Sequence, residues 1–145
     1  PLLGTVFISV KDTDKAAVLV RELDRYIAAA KCFDLPINIG TELNKPGQRF
    51  VDDFAAEAMK PYHGDFLQGA QVMVGHTRLL RWADYSYTDE ETAEDHPIRS
   101  ERNAFFASVG ALPGPDAATI AKLDDMASGK ALSYLRSSAS RGEWR

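Results

Sequence analysis

Leu35-Pro36-Ile37-Asn38-Ile39-Gly40-Thr41-Glu42-Leu43-Asn44-Lys45-Pro46-Gly47-Gln48 decides how the chain is read: a short apolar run passes into a polar, turn-rich loop and then into a helical pattern. Loops after the carboxyl ends of parallel strands collect functional side chains, because the sheet fixes the backbone while the loop chemistry is free to vary. Upstream, Lys15 to Cys32 repeats Leu19, Leu23, Tyr26, Ile27 and Ala30 at three- and four-residue spacing, with Arg21, Glu22, Asp24 and Arg25 on the other side. That is the pattern of an amphipathic helix. Asp12, Thr13 and Asp14 offer capping oxygens at its start. Before them, Thr5-Val6-Phe7-Ile8-Ser9-Val10 is a β-branched and aromatic run suited to a buried strand. The expected fold is therefore α/β: a partial parallel β-α-β unit with a right-handed crossover, followed by several helices. Two parallel strands leave unpaired edges, so they are expected to be the last strands of a larger β/α barrel or to pair with another chain or copy.

Downstream the pattern is helical. Phe50, Val51, Phe54 and Ala58 form one stripe that stops near Pro61, and a longer helix is expected over 64–85 with Phe66, Leu67, Ala70, Val74, Leu79 and Trp82 inward. An acidic linker, 88–95, precedes a helix opened by Pro97. Pro113-Gly114-Pro115 forces a break, and the last helix is expected over 116–137 with Ile120, Leu123, Ala127, Tyr134 and Leu135 inward. The organisation expected is one α/β domain over 1–145, or the carboxyl-terminal fragment of a larger barrel. Residues 1–60 form the β-α-β-α unit and 61–145 the helical part.

With 145 residues, 45% of them hydrophobic, the chain can bury a core. A net charge of −4 argues against a general nucleic-acid surface, which needs clustered Lys and Arg to displace counterions. Cys32 is the sole cysteine, which excludes an intramolecular disulfide and a cysteine-rich zinc site; it is expected as buried filler in a reducing compartment. No apolar run approaches the roughly 20 residues that span a bilayer, so no membrane partner is expected and the cytoplasm is the expected location. Pro1 stands where an initiating Met would, which points to a processed, excised or truncated product.

Candidate binding residues cluster at the two strand ends. Glu42 sits where a carboxylate can meet a hard metal or take a proton from substrate, and equally where it can cap locally. Asn44, Lys45 and Gln48 share its loop, and Lys45 beside Pro46-Gly47 suits an anionic substrate or a solvated turn. Lys11 and Asp12 occupy the corresponding end of the first strand, where parallel pairing brings them to the same face as Glu42, although Asp12 is also a natural cap. Asp52 and Asp53 are adjacent on a helical pattern and make a poor carboxylate pair. His63 and His96 adjoin prolines at element boundaries, and His76 reads as a hydrogen-bonded interior histidine. Among these histidines there is no His-x-His or His-Glu-x-x-His spacing, and the chain has no Gly-x-Ser-x-Gly, Walker or Gly-x-Gly-x-x-Gly motif.

The run Pro36 to Phe54, with Gly75-His76-Thr77 and Glu101-Arg102-Asn103-Ala104-Phe105-Phe106, resembles the carboxyl-terminal part of large bacterial proteins related to the PHP (polymerase and histidinol phosphatase) metal-dependent hydrolases. The resemblance covers most of the chain and implies a distorted, TIM-barrel-like β/α barrel with divalent metals and phosphoesterase chemistry. The family's His-x-His and Asp-x-His have no counterpart here, so no metal ligand carries over. On that reading Glu42, Asn44 and Lys45 line the barrel mouth as substrate contacts, with Lys11 and Asp12 expected beside them from the parallel strand pairing alone. A divalent metal belongs to the full-length protein, none binds this chain tightly, and the chain alone is catalytically silent. The partner is then the remainder of a larger chain. The rival reading is a noncatalytic α/β interaction module that self-associates as a homo-oligomer or docks to a partner.

Overall fold

The computed structural model describes residues 13–40, 46 and 53–144, with side chains in the first helix described from residue 17. Every regular element among the described residues is helical. Contacts divide the chain into two units, Pro1–Phe66 and Leu67–Arg145.

In the first unit, helix α1 spans Thr13–Cys32. Leu23 and Ile27, one turn apart, are buried with Met59 and Phe66, and Ile37, Phe54, Ala56 and Tyr62 pack around them. Arg25 meets Glu22 at 3.0 Å on the exposed side, and Tyr26, expected inward, is exposed. The helix ends on a left-handed residue, Asp34 at φ 51°. Its amide donates to the Lys31 carbonyl at 3.1 Å, and the Leu35 amide reaches back to the Ala30 carbonyl at 2.9 Å. This closure satisfies carbonyls that a helix end otherwise leaves orphaned.

The α/β expectation is overturned here. Residues 35–40 follow the closure as irregular chain, and no strand, and hence no β-α-β unit or TIM-barrel-like sheet, exists among the described residues. The physical reason is local: Pro36 has no amide to give a ladder, and Leu35 and Ile39 stay exposed while Ile37 alone turns toward the α1 cluster. Alternating burial of that kind needs no sheet. The other strand proposed from sequence, 5–10, lies outside the described residues. Phe54 and Ala58 also do not lie on a helix. The Asp53 carboxylate accepts the Ala55 amide at 3.0 Å and starts a series of turns, and a 3-10 helix follows at Lys60–Tyr62 with Pro61 in it.

The second unit is built on helix α2, His63–Ala83, whose residues from Leu67 onward belong to it, with α3 at Glu90–Asp95, α4 at Arg99–Gly110, α5 at Ala117–Asp124 and α6 at Ser128–Arg141. Val72, Leu79 and Trp82 of α2 enter one core with Phe106 and Val109 of α4, Leu123 of α5 and Leu135 of α6. Helices α2 and α4 touch backbone to backbone. A Cβ added to Gly75 would lie 2.8 Å from the Phe106 carbonyl carbon, and one added to Gly110 would lie 2.6 Å from that of Gln71. Only glycine admits so close a crossing.

Polar side chains close the helix ends. The Arg78 guanidinium donates to the carbonyls of Val109 at 2.8 Å, Leu112 at 2.9 Å and Pro113 at 3.1 Å, placing a cation at the negative end of the α4 dipole. Trp82 Nε1 donates to the Asp124 carboxylate at 2.7 Å and ties α2 to α5. The region expected as an acidic linker contains α3, and the helix expected over 116–137 is broken into α5 and α6. The break is made by tight turns: Met126 donates its amide to the Leu123 carbonyl at 3.1 Å, and Ala127 is extended at ψ 145° and exposed rather than inward. No helix among the described residues is long and apolar enough to cross a membrane.

Candidate functional site

Two features of the second unit stand apart from its core. The first is an open cleft of about 520 Å³ lined by Asp95, His96, Phe105, Ser108, Arg136, Ala139 and Ser140, where the end of α3 meets α4 and α6. Arg136 holds Asp95 at 2.6 Å, and the Tyr85 hydroxyl donates to the same carboxylate oxygen at 3.0 Å. Hydrogen bonds from Arg136 and then Tyr85 hold the Asp95 carboxyl below its usual range, while burial above all pushes the Tyr85 phenol up. The His96 ring stacks on Phe105 with centroids 4.8 Å apart, and its Nε2 is buried with no hydrogen-bond partner. Its backbone carbonyl accepts from Arg102 at 3.0 and 3.2 Å. Burial, reinforced by the Arg136 charge, pushes the imidazole pKa down.

Chemically this cleft is paired rather than poised. The Ser108 and Ser140 hydroxyls donate to the carbonyls of Phe105 and Ser137, so neither is hydrogen-bonded to the imidazole that would activate it. The arrangement fastens α3, α4 and α6 together around Phe105. A pH dependence follows from the direction of the His96 shift. Its folded pKa lies below the ordinary 6.5, so the contribution is present in full above that value and is lost as pH falls through the depressed folded value. Thermal melts from pH 8 to pH 5 should therefore show stability falling on the acid side, and His96→Phe should flatten that slope. The Asp95 contribution has the same sign but falls away only below its ordinary 3.8, outside that window.

The second feature is the outer face of α2. Leu67 and Met73 are each 51% exposed, Leu80 45% and Val74 43%, and Ala70 and Thr77 lie exposed between them. The Thr77 hydroxyl donates to the Met73 carbonyl on its own helix at 3.0 Å, which satisfies the hydroxyl within the helix. The face is an apolar stripe about 20 Å long, at 1.5 Å per residue. Leu67, Ala70 and Val74 are expected inward from the sequence, and here they are exposed.

None of the substrate contacts proposed from sequence can be placed: Lys11, Asp12, Glu42, Asn44 and Lys45 lie outside the described residues. His76, which accepts the Tyr87 amide on Nδ1 at 3.2 Å, and His63, which is exposed, are apart from the cleft lining. Cys32, expected as buried filler, is exposed. Among the described residues no group of three or more His, Cys, Asp or Glu is placed to hold a metal ion. Sequence reasoning missed both features. Asp95 fell in the expected acidic linker and Arg136 near the end of the expected last helix, far apart in sequence, and the signal for the α2 face was an apolar content too wide for one helical stripe. Comparison of the chain with family models, curated proteins and solved structures returned no match in any of the three.

Proposed function

We propose that this chain is a noncatalytic helical docking module and that the outer face of α2 is its docking surface. One observation carries the reading: α2 is apolar on two sides, with Val72, Leu79 and Trp82 in the core and Leu67, Met73, Val74 and Leu80 exposed. A helix that is apolar all round is ordinarily covered all round, and exposed apolar patches of this kind mark interaction sites. The interaction module expected from sequence as α/β is here helical. The PHP resemblance placed phosphoesterase chemistry at a barrel mouth, and among the described residues no strand forms one. The proposal therefore draws on the α2 face and not on that resemblance.

Fluorescence of a hydrophobic dye with dilute native protein tests the proposal. The dye should brighten on the folded chain, and the combined Leu67→Gln and Val74→Gln substitutions should remove most of the gain while the far-ultraviolet helical signal persists. A native chain that leaves the dye dark, or a gain indifferent to both substitutions, contradicts it.

A further inference from the structure

We infer that the His96 ring is a proton-operated gate over Phe105: neutral, it lies on the phenyl face and closes that part of the cleft, and protonated, it swings out to water and leaves the face open. The gate belongs to the cleft and is independent of the α2 face. Two different holds act on the residue. The backbone of His96 is pinned, its amide donating to the Thr92 carbonyl at 3.0 Å and its carbonyl accepting from the Arg102 guanidinium at 3.0 and 3.2 Å. The ring is held by its stack on Phe105, with centroids 4.8 Å apart, and its Nε2 is buried without a hydrogen-bond partner. A neutral imidazole tolerates that position, because the unpaired nitrogen carries no net charge. An imidazolium does not, because both nitrogens then bear N–H groups and a charged donor without an acceptor is costly to bury.

The charges around the ring do not rescue the imidazolium. Arg136 of α6 and Arg102 of α4 oppose a further cation, Asp95 of α3 and Glu101 of α4 favour one, and burial decides between them. The ring has somewhere to go: His96 is half-buried in the cleft lining, so rotation of its side chain brings the imidazolium to water without moving the backbone. The floor beneath it stays. Phe105 keeps its edge contacts with Tyr85 and Phe106, at 6.2 and 5.5 Å, and the Arg136 guanidinium lies 5.4 Å from its ring centre. The Asp95–Arg136 pair also persists, because its hydrogen bonds hold the Asp95 carboxyl below its ordinary 3.8. Between the titration of His96 and that of Asp95 the gate is therefore open on a folded chain, as an imidazole-sized slot floored by Phe105 and bordered by Arg136. Folded His96 titrates below the ordinary 6.5, so the gate is closed at neutral pH and opens as pH falls through that depressed value.

Nuclear magnetic resonance of the uniformly labelled chain, with the rings assigned through the backbone and titrated from pH 8 to about pH 4, tests the gate. At the alkaline end the ring protons of His96 and Phe105 should show a cross-ring Overhauser effect. It should vanish with the midpoint at which His96 protonates, below 6.5, while the α-carbon shifts of α3 keep their helical values. His96→Phe should hold the Phe105 signals constant across the range, because the replacement ring stacks and does not titrate. An Overhauser effect that persists on protonated His96 overturns the gate, as does a midpoint at or above 6.5. Loss of the helical α3 shifts together with the Overhauser effect also overturns it, since α3 would then leave as a whole segment rather than stay while one ring moves.

Discussion

Gly75→Ala should destabilise the chain by about 3 kcal/mol, at the upper end of what overpacking costs, although alanine is the better helix former. The added methyl would press on the Phe106 carbonyl carbon at 2.8 Å and the Gly110 amide at 3.1 Å, and backbone cannot rotate away as a side chain end can. Gly110→Ala should behave alike, since its methyl would meet Gln71 and Gly75 from the other helix. Gly129→Ala serves as the control. It lies in α6 with nothing within 4 Å, so the same substitution should gain about 0.5 kcal/mol from helix propensity. Denaturant unfolding of the three variants measures the contrast, and equal effects at all three would mean that α2 and α4 do not cross at these glycines.

Phe106→Ala should cost about 4 kcal/mol, in the range for a fully enclosed aromatic side chain. Phe106 has no exposed surface, stacks on Tyr85 with centroids 6.1 Å apart, and meets Tyr87 edge-on at 5.1 Å. Its loss leaves a cavity against those rings and Phe105. Phe105→Ala should cost less, because that side chain is only partly buried at the rim of the cleft. Near-ultraviolet circular dichroism alongside unfolding separates the two, since Phe106→Ala should loosen the tyrosine environment as well as lower the midpoint.

The helices were legible where one face was apolar and the ends were punctuated. The spacing of Leu23 and Ile27 gave α1, and the Pro113-Gly114-Pro115 break fell where α4 and α5 are separated. The α/β class was misread because Ile37-Asn38-Ile39 after a helix satisfies a strand pattern whether or not a partner strand exists. Alternation over so short a run reports burial, and the Ile37 side chain finds it against the α1 cluster without a ladder. The acidic stretch hid α3, and the α5–α6 break has no Gly or Pro to announce it; it depends on turns whose value comes from letting Leu123 and Leu135 both reach one core. The site was the least legible part. Sequence periodicity assigns apolar positions to a core but cannot say that one helix has two apolar sides and that only one of them is covered. Nor can it join Asp95 to Arg136, 41 residues away, because that pairing is made by tertiary packing.

Equilibrium unfolding, in dilute solution, of a chain carrying Leu67→Gln, Met73→Gln, Val74→Gln and Leu80→Gln together tests most directly whether the outer face of α2 is surface kept for docking. The account predicts a total loss of no more than about 2 kcal/mol, the sum of four surface substitutions, with dye binding gone. A loss several times larger, in the range of about 2–5 kcal/mol for each buried apolar residue removed, would show that this face belongs to the chain's own core and would contradict it.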